Sequence, residues 1–92
     1  MTETLTAPAL PKNSHGNWQT VVWNDPINLG SYVVNVFCRH FRISRTAAEA
    51  LMKKIHTQGS AVVSEGPRER MEADVVTMHG YGLQATLRER ND

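Results

Sequence analysis

Apolar and polar positions change period several times along this chain, and each change predicts an element. Residues 18–23, WQTVVW, are mostly aromatic or β-branched and read as a strand. Asn24-Asp25-Pro26 ends the run, since Asn and Asp favour turns and proline cannot continue a ladder. Over 29–42, Val33, Val34, Phe37 and Phe41 form an apolar stripe opposite Ser31, Asn35, Arg39 and Arg42, which is helical spacing. Ile43-Ser44 is a break, with Ser44 suited to N-cap a second helix. That helix, over 45–57, carries Ala47, Ala48, Leu51, Met52 and Ile55 on its apolar side. Arg45, Glu49 and Lys53 stand opposite at i, i+4 spacing, and Gly59 is a natural C-terminal cap. SAVVSEG over 60–66 reads as a short strand. Pro67 can open a third helix with Met71, Val75 and Met78 in one apolar row, stopped by Gly80 and Gly82. The last strand, 83–88, alternates Leu83, Ala85 and Leu87 with Gln84, Thr86 and Arg88.

The order β-α-α-β-α-β predicts an α+β fold: a small two-layer domain with a three-stranded antiparallel sheet packed against three helices. Residues 1–17, rich in Thr, Ser, Asn and Pro, are expected to form a flexible N-terminal tail. That tail either has no task or docks on a partner. Residues 18–88 form the expected core, and 89–92 a frayed C-terminus.

The length of 92 residues fits one domain with one modest core. At 40% hydrophobic and 21% charged, the composition is ordinary for a globular chain. A net charge of +1 gives no electrostatic case for a nucleic-acid or anionic-membrane partner. The single cysteine, Cys38, cannot form an internal disulfide, and a reducing cytoplasmic location fits best. Its neighbours Val36 and Phe37 mark a partly buried thiol rather than a nucleophile. The apolar runs fall short of the ~18 residues of a membrane span, and the first residues lack the pattern of a signal peptide.

His15, Cys38, His40, His56 and His79 do not pair at zinc-site spacings, so neither metal nor other cofactor is expected. Asp25 and His56 could act as orienter and base, but nothing marks a nucleophile, and Gly-x-Ser-x-Gly and phosphate-loop patterns are missing. A non-enzymic role is therefore expected. What remains is a set of acceptors. Asn24 and Asp25 lie at a strand end, and His56 lies one helical turn after Met52, with Ile55 beside it. If the second helix packs near that strand end, an amide oxygen, a carboxylate and an imidazole nitrogen meet next to apolar side chains. A primary ammonium offers three donors and a positive charge. The free N-terminus of a chain with a large hydrophobic first residue matches both halves. Each part also has an ordinary structural reading: Asn-Asp-Pro makes turns, and a helical histidine is often satisfied internally.

From Trp18 to Leu87 the chain resembles the ClpS family, bacterial adaptors of the N-end rule. The resemblance rests on VVWNDPINLGSYVVNVF and on ALMKKIHTQGSAVV, with Met52, Ile55, His56 and Gly59 in the spacing Met-x-x-aliphatic-His-x-x-Gly. It implies binding of substrates that begin with Leu, Phe, Tyr or Trp. It further implies delivery to a Clp-family AAA+ unfoldase, of the ClpA or ClpC type, that feeds ClpP. It makes Asn24, Asp25 and His56 the α-amino site, and Met52, Ile55, Tyr32, Val33 and Leu83 the side-chain pocket. The tail is implied to engage the unfoldase.

The chain departs from the family pattern at three places. Pro26 stands where a second acid is common, leaving Asp25 to supply the charge. Gly30, preceded by Leu29, stands where a gating Met is common, which implies a roomier pocket unless Leu29 swings in. On the side implied to bind the unfoldase, Glu69 matches a family position, but Asp74 stands where a Lys is common. Pro26 and Gly30 keep a rival open: a regulator that binds the unfoldase and redirects or inhibits it with little N-degron binding. A small structural or ribosome-associated domain is a third reading.

Overall fold

The computed structural model describes residues 17–90. In chain order the elements are β1 (Trp18–Trp23), α1 (Gly30–Phe41), α2 (Arg45–Gln58), β2 (Ser60–Gly66), α3 (Arg68–Gly80) and β3 (Ala85–Glu89). The strands form one sheet in the order β2-β1-β3, with β1 antiparallel to both neighbours. This is the α+β arrangement that the periodicity predicts. The tail expected over residues 1–17 lies outside the described residues, apart from Asn17. The carbonyl of Asn17 accepts from the Arg90 amide at 2.7 Å. At the other end β3 stays paired through Glu89, which stands opposite Trp18.

As the central strand, β1 pairs on both edges, and Gln19 to Val22 are buried along it. Val22, with Ala61 of β2 and Ala85 of β3, meets Val34 and Phe37 of α1, Ile55 of α2 and Met78 of α3 in one apolar cluster. Phe37 is the largest fully buried side chain, and burial of such a ring contributes about 2–3 kcal/mol. Thr20 is also fully buried, and its hydroxyl donates to the Met71 carbonyl at 3.2 Å, so no cost of an unmet donor arises. A bulge interrupts the β1–β2 ladder: Thr20 pairs with Ser64 and Val21 with Val62. Val63 is thereby the extra residue, and Ser64 comes to face α3.

The caps follow local chemistry. The Ser44 hydroxyl oxygen accepts from the Ala47 amide at 3.1 Å, satisfying an orphan donor of α2. Gly59 ends α2 at φ 93, a conformation that strains any residue with a Cβ, and its amide donates to Ile55 at 2.8 Å. Boundaries shift by one or two residues at α1, α2, α3 and β3. Pro67 precedes α3 rather than opening it, and the helix begins at Arg68. Leu83 lies before β3, because its amide donates back to the Met78 carbonyl at 3.0 Å and closes the end of α3.

Candidate functional site

The end of β1 is fastened to both neighbours. The Trp23 amide donates to the Gln84 carbonyl at 2.9 Å, and the Asn24 amide donates to the Gly59 carbonyl at 2.9 Å. The second bond sets Asn24 against the C-terminal end of α2, one turn from His56. The following turn is built on Asp25. Its Oδ1 accepts from the Ile27 amide at 2.8 Å, and its Oδ2 accepts from Asn28 Nδ2 at 2.8 Å. Asn28 Nδ2 also donates to the Gly82 carbonyl at 3.0 Å, tying this turn to the segment before β3. The Asp25 carboxylate is therefore held in place, half-buried, with lone pairs to spare for a ligand.

Between this turn and α2 lies an open cleft of about 690 Å³. Asn24, Asp25, Pro26 and Asn28 line it from the turn, exposed Gly30 and buried Val34 from α1, and Glu49, Met52, Lys53, His56 and Thr57 from α2. The side chains of Asn24 and His56 are exposed and make no hydrogen bond among the described residues. An amide, a fixed carboxylate and an imidazole thus open onto one space. The C-terminal turn of α2 adds to them, since the carbonyl end of a helix carries about half a negative charge. The site can hold a cation with several donors, and Met52 and Val34 can take an apolar group beside it.

All three residues expected to bind an α-amino group line the cleft, together with Gly30 and Met52 of the expected pocket. Val33, Ile55 and Leu83 are buried in the core behind it, between 1% and 5% exposed. Leu29 projects to solvent at 72% exposure just before α1. Tyr32 is partly exposed, and its hydroxyl donates to the Tyr81 carbonyl at 2.6 Å. Asn28, Val34, Glu49, Lys53 and Thr57 line the cleft without having been expected. Helical spacing carried a signal for three of them. Glu49, Lys53 and Thr57 stand at i, i+4 and i+8, flanking the stripe of Met52 and His56.

Of the two residues expected on a partner-binding face, Glu69 is exposed in the first turn of α3. Asp74 is turned inward: its Oδ1 lies 2.9 Å from His40 Nε2, and its Oδ2 accepts from the Ser64 hydroxyl at 2.8 Å. The free thiol of Cys38 is half-buried. Among the described residues, no group of three potential ligands is arranged to hold a metal ion, and no helix is long and apolar enough to cross a membrane.

A three-stranded sheet backed by helices, with an acceptor cluster opening onto an apolar cleft, defines a small α+β binding domain. The model of the ClpS family, described as ATP-dependent Clp protease adaptor protein ClpS, matches residues 13–86, and the chain belongs to that family. It is 56% identical over 72 residues to the ATP-dependent Clp protease adapter protein ClpS of Streptomyces coelicolor, covering 78% of this chain and 75% of that one. The protein of the same description from Mycobacterium tuberculosis is 50% identical over 72 residues, covering 78% of this chain and 71% of its own. The solved structure of Agrobacterium tumefaciens ClpS2 bound to L-phenylalaninamide has the same fold, with a TM-score of 0.71 at 24% identity. The match covers 84% of this chain and all of that one. The chain is thus a Clp protease adaptor, a non-catalytic role.

Proposed function

We propose that the cleft grips the free α-amino group of a substrate protein while its apolar base takes a large first side chain, Leu, Phe, Tyr or Trp. The observation that carries this reading is the convergence of two unpartnered groups, Asn24 and His56, on the anchored Asp25 at the mouth of an apolar cleft. The ligand of the Agrobacterium neighbour, a free amine bearing a benzyl side chain, has the chemistry that such a cleft suits. Burial of a Leu or Phe side chain contributes about 1.5–3 kcal/mol. Each hydrogen bond to a charged amine contributes about 1.5–3 kcal/mol. Less ordering costs, the sum is compatible with micromolar affinity, about 8 kcal/mol.

The bound substrate then passes to a Clp AAA+ unfoldase of the ClpA or ClpC type, working with ClpP in the cytoplasm. The exposed Glu69 belongs to the docking face in this reading, with the N-terminal residues as the segment that engages the unfoldase. Asp74 contributes there by bracing α3 rather than by touching the partner, since both of its oxygens are engaged within the domain.

The test is fluorescence anisotropy of a labelled peptide beginning with Phe, beside its N-acetylated twin. Acetylation removes the charge and two donors, so only the free amine is expected to bind. Equal binding of both peptides overturns the amine site. Failure of Leu, Phe, Tyr and Trp peptides alike overturns substrate recognition in favour of a regulator of the unfoldase.

A further inference from the structure

The α2 wall of the cleft is one helical stripe: Glu49, Met52, Lys53, His56 and Thr57 stand at i, i+3, i+4, i+7 and i+8. Its C-terminal end meets Asn24 and Asp25. Met52 and Lys53 lie one turn back, about 5.4 Å along the axis, and Glu49 lies a turn further. The charges on this wall are unequally compensated. The Glu49 carboxylate is already paired with Arg45 of its own helix, Nε to Oε2 at 3.2 Å. The Thr57 hydroxyl donates to the Lys53 carbonyl at 2.9 Å. The Lys53 ammonium has neither an ion pair nor a hydrogen bond among the described residues. The middle of the wall therefore presents one uncompensated cation.

We infer that Lys53 reads the second residue of the bound chain, favouring an acidic side chain there over a basic one. This rests on the reading of the cleft as a site for an N-terminal amine. With the amine held by Asn24, Asp25 and His56, the first side chain enters beside Met52 and Val34. An extended chain advances about 3.5 Å per residue, so a chain that runs back along α2 from the amine brings its second side chain within reach of Lys53, about 5.4 Å away along the axis. Glu49 does not cancel the preference, because Arg45 already neutralises it. The pair is exposed to water, so discrimination is modest and falls with salt.

The experiment compares three peptides that begin with Phe and carry Asp, Gln or Lys second, titrated by anisotropy at about 50 mM salt. Wild type is expected to bind them in the order Asp, Gln, Lys, with about five-fold between the extremes. Lys53→Glu is expected to reverse the order. Lys54→Gln alters the adjacent charge, which does not line the cleft, and is expected to keep it. Raising the salt to about 0.5 M is expected to compress the spread below about two-fold. Equal affinities for the three peptides in wild type overturn the inference alone, as does an order that survives Lys53→Glu. If even the Gln peptide fails to bind, the amine reading falls and the inference falls with it.

Discussion

Asp74 and Asp25 each lie near a histidine, yet the two neighbourhoods are built in opposite ways. Around Asp74 the polar groups consume one another. Its side chain is only 15% exposed, one oxygen is met by the Ser64 hydroxyl, and the other lies 2.9 Å from His40. The aspartate is the middle member, so the serine proton points at the carboxylate and not at the imidazole. The order is wrong for activating a nucleophile. These bonds join β2, α3 and α1, and their effect is to hold the layers together. Around Asp25 the carboxylate is likewise anchored, but Asn24 and His56 beside it keep their hydrogen-bonding capacity open to the cleft. A polar cluster that closes on itself supports the fold. One that is fixed at its centre and open at its edges is prepared for a ligand.

The sharpest break in that comparison comes from Asp25→Ala. Removing the anchored carboxylate beside the amine is expected to weaken a Phe peptide by about 100-fold in anisotropy titrations. A loss below about ten-fold removes Asp25 as the charge partner. Asp74→Ala tests the other half. It strands His40 and Ser64 and is expected to cost about 1–3 kcal/mol in urea unfolding, while peptide affinity moves far less than in Asp25→Ala. If affinity collapses while the fold stays stable, the two clusters are not separate in function.

The histidines separate the clusters further. His56→Ala removes an acceptor from the amine site and is expected to weaken a Phe peptide by about ten-fold. His40→Ala removes the partner of Asp74 and is expected to change that affinity by less than about two-fold while lowering stability in urea unfolding. Equal losses of affinity in the two variants exclude His56 as an acceptor.

The smallest effect is expected at Gly30. Gly30 lines the cleft, and a Cβ there would meet Met52 Cγ at 3.8 Å, an ordinary contact that tolerates a side chain at this position. Gly30→Met is expected to raise the preference for Leu over Ile as first residue by about five-fold, near 1 kcal/mol. Unchanged ratios in paired titrations remove Gly30 as the determinant of cleft width.

Much of this molecule was legible in the order of residues. The strand at WQTVVW, the stop at Asn-Asp-Pro, the Ser44 cap and the Gly59 terminus each depend on chemistry within a few residues. The two motifs of the site were also visible, as was the pairing of Met52 with His56 on one helical face. The division of the apolar residues was not. Val33 and Val34 are neighbours in one stripe, yet Val33 belongs to the core while Val34 also reaches the base of the cleft. Ile55 and Leu83 lie behind the cleft, in the core. Periodicity reports which face of a helix is apolar, but not where along that face the covering layer stops.

The sequence by itself determined the element order, the Ser44 and Gly59 caps of α2 and the presence of an amide, a carboxylate and an imidazole beside apolar groups. Those features follow from backbone preferences and from the 3.6-residue and two-residue periods, which act over short distances. Tertiary structure alone decided which acceptors stay open and which are spent. The bond from Asn24 to Gly59 sets the strand end against α2, and the bulge opposite Thr20 turns Ser64 toward Asp74. Both depend on strand register and on contacts between residues far apart in the chain, for which local sequence carries no distance information.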